Sequence, residues 1–374
     1  MIAVVLTTAV GLLGAGCGTD GPPLVFSDMT TTTTVRATPA STDTVVAAPE
    51  LGPWVDVTGN LTGMPSECGN LSLLVGRPGS DQLIASVAAQ GLWALAPGSD
   101  QWTKLGDAGG IPIKNRANTI VFDPDSPDRY WESGAYQQPN ALRTDDGGRS
   151  FQVLGNVGHT EGMSVDLTDP TRRTLLAGSH EGTNLYRSTD GGNSWTTLTP
   201  PLPPGAFASQ PLVLGPDLFL LGASNGPAGS AAGIMRSEDG GANWTQITTD
   251  GVSGPPLVGS NGTIYWVLQN GSMAMSTDRG ATWTAPTLPG TLRSQNVVEL
   301  ADGRLASLSS EFVVVSSDNG FSWQAIGSPM PTADPGPSGL AYNALHDAIY
   351  VWTWDCTDRV PQNAVARLSL APPG

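Results

Sequence analysis

Short apolar segments recur along the chain and alternate with turns rich in glycine, proline and aspartate. Seven such segments each follow a turn: LIASVA (83–88), RYWESGA (129–135), TLLAGS (174–179), LFLLGA (218–223), TIYWVL (263–268), RLASLS (304–309) and AIYVWT (348–353). No stretch of a dozen residues shows sustained apolar recurrence at helical spacing. The pattern therefore predicts an all-β fold with few helices, built from seven copies of one unit.

A polar motif, Ser/Thr-x-Asp-x-Gly-x-x-aromatic, recurs five times between these segments. The copies are TDDGGRSF from Thr144, STDGGNSW from Ser188, SEDGGANW from Ser237, STDRGATW from Ser276 and SSDNGFSW from Ser316. In a tight hairpin, glycine accepts positive φ while short hydroxyl and carboxylate side chains bond backbone amides. The aromatic residue then begins the next strand and packs between neighbouring sheets. We call each copy a box.

The boxes resemble the Asp-box, or BNR, repeat of sialidases, xyloglucanase-type glycosidases, sortilin-type receptors and photosystem assembly factors. The resemblance spans most of residues 51–370 and implies a β-propeller. It also implies that the box aspartates form structural turns on the face away from the binding site. These residues are Asp146, Asp190, Asp239, Asp278 and Asp318.

The aromatic residue that starts each outer strand gives a second count of repeats. Seven are found: Trp54, Trp102, Phe151, Trp195, Trp244, Trp283 and Trp323. We therefore expect residues 51–374 to form a single seven-bladed propeller of four-stranded antiparallel blades. The last segment, AVARLSL (364–370), has no outer strand after it, and PWVDVT (53–58) is an unpaired outer strand at the other end. Pairing of the two would close the ring and remove exposed sheet edges.

The first residues read as a targeting segment. Residues 1–16 are apolar and end in GAG before Cys17, which is typical of an export signal over residues 1–17. GAG-Cys resembles a bacterial lipobox, which implies lipidation of Cys17 and a position on the outer face of the cytoplasmic membrane or in the cell envelope. A plain secretory signal or an uncleaved anchor is the alternative. Residues 18–50, rich in Thr, Pro and Ala, are expected to be a disordered tether.

Cys68 and Cys356 are the other two cysteines. They fall in predicted loops on one face of the first and seventh blades, so a disulfide between them would link these two blades covalently where the ring closes. Two separate buried thiols are the alternative.

The charge balance excludes some partners. The formal net charge is -16, and Lys104 and Lys114 are the only lysines, which argues against binding to nucleic acid or to an anionic membrane surface. Membrane contact is expected only through a lipid anchor. Because the chain has no Walker-type glycine loop, zinc-spaced cysteine set or G-x-S-x-G elbow, we expect no cofactor and no metal. A monomer is expected.

Candidate functional residues are sought on the face opposite the boxes. GHTEG (158–162) and GSHEG (178–182) bring two histidines and two glutamates to one rim, where they can bind a metal, act as acid and base, or simply bond the backbone. The catalytic candidates are Glu161, Glu181 and Asp355. The ligand-binding candidates are Arg116, Tyr136, His159, His180, Arg293 and Arg359.

Two functions are compatible with these residues. Sialidases would need an arginine triad, for which Arg116, Arg293 and Arg359 are candidates, but the Arg-Ile-Pro signature usual in sialidases is absent. Xyloglucanase-type enzymes generally use two propellers, and this chain has room for one. A non-catalytic surface module that binds a glycan or an envelope protein is therefore favoured. The alternative is a glycoside hydrolase or lyase of the sialidase-like superfamily that acts on polysaccharide.

Overall fold

Each of the seven apolar segments becomes the second strand of a four-stranded sheet. The computed structural model describes residues 51–66, 71–96, 98–108, 111–137, 139–225, 233–331, 336–353 and 364–371. The export signal with Cys17, the tether, and the pairing of Cys68 with Cys356 concern residues outside these ranges.

Seven antiparallel sheets of four strands form the blades, and the prediction of a seven-bladed all-β propeller is confirmed. An outer strand, β1 (Val55–Asp56), comes first and is followed by a 3-10 turn at Gly59–Leu61. The first blade contains β2 (Leu71–Gly76), β3 (Leu83–Val87), β4 (Gly91–Leu95) and β5 (Trp102–Lys104). The second contains β6 (Arg116–Phe122), β7 (Tyr130–Ala135), β8 (Ala141–Thr144) and β9 (Gln152–Val153). The third contains β10 (Thr160–Val165), β11 (Leu175–Ser179), β12 (Leu185–Ser188) and β13 (Thr196–Leu198).

The remaining blades repeat the arrangement. The fourth contains β14 (Ala206–Val213), β15 (Phe219–Asn225), β16 (Gly233–Ser237) and β17 (Thr245–Gln246). The fifth contains β18 (Leu257–Val258), β19 (Ile264–Val267), β20 (Met273–Ser276) and β21 (Thr284–Thr287). The sixth contains β22 (Val298–Glu299), β23 (Leu305–Leu308), β24 (Val313–Ser316) and β25 (Gln324–Ile326). The seventh contains β26 (Pro337–Asn343), β27 (Ala348–Thr353) and β28 (Val365–Ser369). Among the described residues, no helix is long and apolar enough to cross a membrane.

The outer strand of the seventh blade comes from the other end of the domain. Val55 pairs with Arg367 and Asp56 with Ala366. The amide of Val57 donates to the carbonyl of Val365 at 2.9 Å, and the amide of Val365 donates to Oγ1 of Thr58 at 3.0 Å. The expected closure of the ring by the N-terminal strand is therefore observed.

The apolar core is divided among the interfaces between blades. Because successive side chains of a strand point to opposite faces, Tyr130 and Trp131 of β7 pack against different neighbours. Tyr130 belongs to the cluster shared with the first blade, and Trp131 to the cluster shared with the third blade. Close packing leaves little room between sheets: a Cβ added to Gly222 would lie 2.3 Å from the ring of Trp266.

The boxes connect the third strand of a blade to the fourth. In the second box, Oδ1 of Asp190 accepts from the hydroxyl of Ser188 at 2.8 Å and from the amide of Ser194 at 2.9 Å. The hydroxyl of Ser194 donates to Oδ2 at 2.6 Å. These hydrogen bonds, led by that of the Ser194 side chain, lower the pKa of Asp190 to about 2. Gly192, at φ 93, takes the left-handed conformation that the turn requires.

Candidate functional site

Antiparallel pairing sorts the loops of every blade onto two faces. The first strand begins, and the second strand ends, at one edge of the sheet, which we call the upper face. The box and the connection from the first to the second strand lie at the opposite edge, the lower face. Chemistry on the upper face therefore comes from residues just before first strands and just after second strands.

Five polar or aromatic side chains meet on the upper face between the second and third blades. We call Arg116, Tyr136, His159, Glu161 and His180 the upper cluster. Nδ1 of His180 hydrogen-bonds to Oε2 of Glu161, and Nε2 of His180 lies 3.2 Å from the hydroxyl of Tyr136. The sequence placed all five residues among the candidates, and the structure brings them together.

The ring of Tyr136 is the centre of the upper cluster. Its centroid lies 5.1 Å from that of His180 and 6.3 Å from that of His159, both edge-on. The guanidinium carbon of Arg116 lies 5.8 Å from the centroid of the Tyr136 ring, within the range of a cation–π contact. Tyr136, Glu161 and His180 are partly buried, Arg116 is buried and His159 is exposed.

Local backbone features aim these side chains. Tyr136 has φ 68, a left-handed conformation that is uncommon for an aromatic residue and is often associated with function. The pairing of β10 with β11 shifts register between Thr160 and Gly162, so Glu161 lies in a β-bulge. The amide of His180 donates to the carbonyl of His159 at 2.9 Å, which ties the two loops together.

Asn118 supports Glu161 from the neighbouring blade. A register shift between Ala117 and Thr119 places Asn118 in a bulge of β6. Its Nδ2 donates to the carbonyl of Thr160 at 3.2 Å and to Oε2 of Glu161 at 3.5 Å. The sequence did not identify this residue as part of the site.

The direction of the hydrogen bonds follows from the chemistry of the groups. A carboxylate only accepts, so Nδ1 of His180 donates to Glu161 and carries the ring proton. Nε2 is then the acceptor for the hydroxyl of Tyr136. The chain of groups therefore runs from phenol to imidazole to carboxylate, an arrangement that can move a proton away from the phenol.

A second feature missed by the sequence analysis lies beneath the upper face, between the first and second blades. Glu132 of β7 is fully buried, and its Oε1 accepts from Nδ2 of Asn115 at 2.7 Å. Burial raises the pKa of Glu132 to about 8, although the Asn115 bond opposes the shift. The signal in the sequence was a lone acid within the apolar segment RYWESGA.

The other candidate residues lie elsewhere. Glu181 is exposed at φ 51 in the turn after β11. Arg293 is exposed before β22 of the sixth blade, where its amide donates to the carbonyl of Leu308 at 2.8 Å, and it is not part of the upper cluster. Asp355 and Arg359 lie outside the described residues. In the described ranges, no group of three or more His, Cys, Asp or Glu side chains is arranged to hold a metal ion.

The negative charge of the described residues lies mainly on the lower face. The boxes and the connections from first to second strands carry most of the aspartates. The acidic residues of the upper face in the described ranges are Asp56, Asp107, Glu161, Glu181, Asp250 and Glu311. Among the described residues, the lower face therefore contributes more of the negative charge than the upper face, where the candidate site lies.

A shallow cavity of about 370 Å³ lies on the lower face between the fourth and fifth blades. Its charged groups are held by protein partners: Arg236 pairs with Glu238 at 2.7 Å, and Nη2 of Arg279 donates to the carbonyl of Leu214 at 2.5 Å. The upper cluster, where a continuous chain of hydrogen bonds reaches the surface, is therefore the candidate functional site.

The chain is similar to proteins of known name, although no family model matches it. A xyloglucanase from Paenibacillus sp is 29% identical over 247 residues, which is 60% of this chain and 22% of the relative. The chain thus spans about a fifth of that protein. The GH74 enzyme of Niastella koreensis superposes with a TM-score of 0.56 at 17% identity, covering 80% of this chain and 43% of that one.

A propeller with WD40 repeats, RRP9, superposes at least as well, with a TM-score of 0.60 at 11% identity over 87% of this chain and 99% of that one. At such identities the superpositions show the fold alone. The prediction of a propeller, which the boxes suggested, is confirmed at that level: the chain is a seven-bladed β-propeller whose fold is similar to that of GH74 enzymes and whose sequence is similar to that of a xyloglucanase.

Proposed function

We propose that this chain is an exported, monomeric propeller, anchored by lipid at Cys17, that binds a polysaccharide through the upper cluster. The observation that carries the proposal is the ring of Tyr136 on the upper face, surrounded by Arg116, His159 and His180. An aromatic ring edged by hydrogen-bonding side chains suits a sugar, which presents apolar C–H faces and a rim of hydroxyls.

A glycan is favoured over an envelope protein because the exposed apolar side chains do not gather into one patch. The large exposed ones in the described ranges are spread over several blades and both faces: Val55, Val153, Leu167, Val258, Leu288, Phe321 and Leu345. A protein interface would be expected to present a contiguous apolar centre.

A glycoside hydrolase is the second candidate, and the similarity to the Paenibacillus xyloglucanase favours it. If the chain is an enzyme, this similarity supports a glycoside hydrolase among the enzyme classes. Hydrolysis normally requires two carboxyl groups about 5 to 10 Å apart that flank the bond. Glu161 and Glu181 are the described candidates, with Asp355 outside the described residues.

Calorimetric titration of the full chain with soluble polysaccharides tests the binding proposal. The panel contains xyloglucan and several uronic acid polymers. Tyr136→Ala and His159→Ala are expected to weaken binding about tenfold or more, equivalent to about 1.4 kcal/mol. Tyr342→Ala and His346→Ala, which change the same residue types at the lower edge of the seventh blade, should bind like the parent.

Two results would contradict this proposal. Absence of binding to every polymer would remove the glycan function, and equal weakening by the lower-face variants would remove the site. Release of reducing ends, measured in the same samples, tests hydrolysis; Glu161→Gln and Glu181→Gln should then abolish the release while the melting temperature stays unchanged.

The anchor is tested by localisation. Cys17→Ser should move the protein from the membrane fraction to the soluble exported fraction, because it removes the attachment site of the acyl chains that would hold the protein at the membrane. Retention of the serine variant in the membrane fraction would contradict lipidation at this residue.

A further inference from the structure

Binding alone does not explain the hydrogen bonds behind Tyr136. The phenol contacts His180, and His180 is in turn bonded to Glu161, which Asn118 steadies from the next blade. An imidazole that is oriented by a carboxylate can take a proton from a third group, and this activates that group as a nucleophile or base. Here the third group is a phenol.

We infer that the upper cluster catalyses β-elimination in a polysaccharide that contains uronic acid, with Tyr136 as the catalytic residue. The inference rests on the proposed function, since the cluster must first bind the polysaccharide. It adds the substrate class, a uronate, and the reaction, cleavage by a lyase.

The proton of Tyr136 first moves to Nε2 of His180, whose charge Glu161 balances. The phenolate then takes the proton from C5 of the uronate, the carbon next to the carboxylate. The electron pair of that C–H bond forms the C4=C5 double bond as the C4–O bond breaks. Tyr136 returns the proton to the departing oxygen, so that one chain gains a hydroxyl and the other an unsaturated end. No oxidant, reductant or water is consumed.

Arg116 places positive charge where this reaction develops negative charge. Its guanidinium lies 5.8 Å from the centre of the Tyr136 ring, so it stabilises the phenolate, the substrate carboxylate and the enolate formed from it. His159, exposed on the other edge of the ring, is placed to contact the carboxylate from the solvent side.

The surrounding charges permit an acidic sugar despite the net charge of the chain. The aspartates of the boxes are on the lower face, and Glu132, in the interface between the first and second blades, is protonated at neutral pH because burial raises its pKa to about 8. The negative charge within the cluster is that of Glu161, which is bonded to His180.

Hydrolysis fits the same residues less well. Within the upper cluster Glu161 is the one carboxyl group, and its Oε2 is held by His180 and by Asn118. A hydrolase would need a free carboxylic acid to protonate the leaving oxygen and a second carboxylate beside it. Elimination needs a base, a proton relay and a cation, and the cluster contains these three.

The experiment incubates the full chain with polygalacturonate, with alginate and with a glucuronic acid polymer. The ultraviolet absorbance of the conjugated double bond follows the reaction, and mass spectrometry identifies the ends. Unsaturated ends are expected on at least one polymer. Tyr136→Phe should lower the rate at least about 100-fold while binding, measured by calorimetry, is retained. Glu161→Gln should lower kcat about tenfold with KM unchanged, as expected for a positioning residue.

Tyr342→Phe and His346→Asn, which lie at the lower edge of the seventh blade, are the matched controls and should keep the parent rate. Binding of a uronate polymer without unsaturated ends would overturn the elimination and leave the proposed binding function intact. Saturated ends would overturn it in favour of hydrolysis, and an unchanged rate in Tyr136→Phe would overturn the role of that residue. Absence of binding to all polymers would remove the proposed function and this inference together.

Discussion

The side-chain amide of Asn115 donates a hydrogen bond of 2.7 Å to Oε1 of Glu132 inside the interface between the first two blades. Neither residue is exposed, and Oε2 of Glu132 and Oδ1 of Asn115 have no hydrogen-bond partner among the described residues. Burial raises the pKa of Glu132 to about 8 from an ordinary value of 4.5. The carboxyl is therefore neutral when the protein folds at neutral pH.

Glu132 makes stability depend on pH above the acid range. Since its pKa is raised in the folded state, its contribution is fully present below 4.5 and is lost as the pH rises to about 8. The melting temperature should therefore fall across this window. Glu132→Gln keeps the shape and removes the ionisation, so its melting temperature should be flatter with pH and higher than that of the parent at about pH 8.

Glu299→Gln is a control for this experiment, because Glu299 lies at the lower edge of the sixth blade and is bonded to exposed Ser260 at 2.7 and 2.8 Å. Its melting temperature should follow the slope of the parent between about pH 5 and pH 8. If the melting temperatures of the parent and of Glu132→Gln changed equally with pH, Glu132 would not be holding its proton in the folded chain.

A buried ion pair joins the second and third blades on the lower face. Nη2 and Nε of Arg172 lie 2.8 and 3.2 Å from the carboxylate oxygens of Asp123, and both side chains are buried. Burial alone would raise the pKa of Asp123, but the bonds to Arg172 and to the amide of Asp125 lower it overall. The pair therefore stays charged.

Arg172→Ala should lower the free energy of unfolding by about 1.5–3 kcal/mol, because it removes two charged hydrogen bonds and leaves the buried Asp123 carboxylate with Arg129, 3.5 Å away, as its ion-pair partner. Arg173→Ala, at the exposed neighbouring residue, should change it by less than about 0.5 kcal/mol. Urea titrations measure both. If the double variant Asp123→Ala and Arg172→Ala lost the full sum of the single effects, the two residues would not be coupled.

Asp146 and Asp145 are adjacent in the first box but have different surroundings. Asp146 accepts from Thr144 at 2.8 Å and from Ser150 at 2.9 and 2.5 Å. Asp145 forms partly exposed ion pairs with Arg129 and Arg143. Asp146→Ala should lower the melting temperature by a few degrees, whereas Asp145→Ala should change it little. Neither should alter glycan binding.

The effect of Asp146 should depend on pH in the acid range. Burial raises its pKa, but the bonds from Ser150 and Thr144 outweigh this and lower it to about 2 from 3.8. A lowered pKa stabilises the fold above 3.8, and the gain is lost as the pH falls to about 2. The difference between the parent and Asp146→Ala should therefore shrink across that range. A constant difference would mean that the carboxylate charge is not what holds the turn.

The fold could be predicted because its information is local. Each box specifies its own turn through residues at most seven apart, and the seven repeats of the apolar segment and of the aromatic residue give the blade count. Closure also followed from counting, since the unpaired strand at Val55–Asp56 matched the missing fourth strand beside β28. The position of each loop relative to the boxes then assigned residues to the upper and lower faces.

The contacts within the site could not be predicted in this way. Pairing of His180 with Tyr136 depends on a left-handed tyrosine and on a bulge at Glu161, and neither leaves a pattern in one sequence. Glu132 was missed because the segment around it is apolar, and such a segment predicts a core strand without indicating a functional role for the acid within it. Glu181 was grouped with His180 by adjacency, although consecutive residues in a turn point in different directions.

Glu181 provides a direct test of a turn role against a catalytic one. It is exposed at φ 51 between His180 and Gly182, and a residue other than glycine is strained in this conformation. Glu181→Gly should therefore raise the free energy of unfolding by up to about 1 kcal/mol, and Glu181→Ala, which keeps a Cβ, should leave it nearly unchanged. Urea titration measures the stability of both variants, and the polysaccharide assays measure their rates. Parent-like rates in both variants support the turn role. Loss of rate in both would restore Glu181 to the catalytic residues and favour hydrolysis by a carboxyl pair.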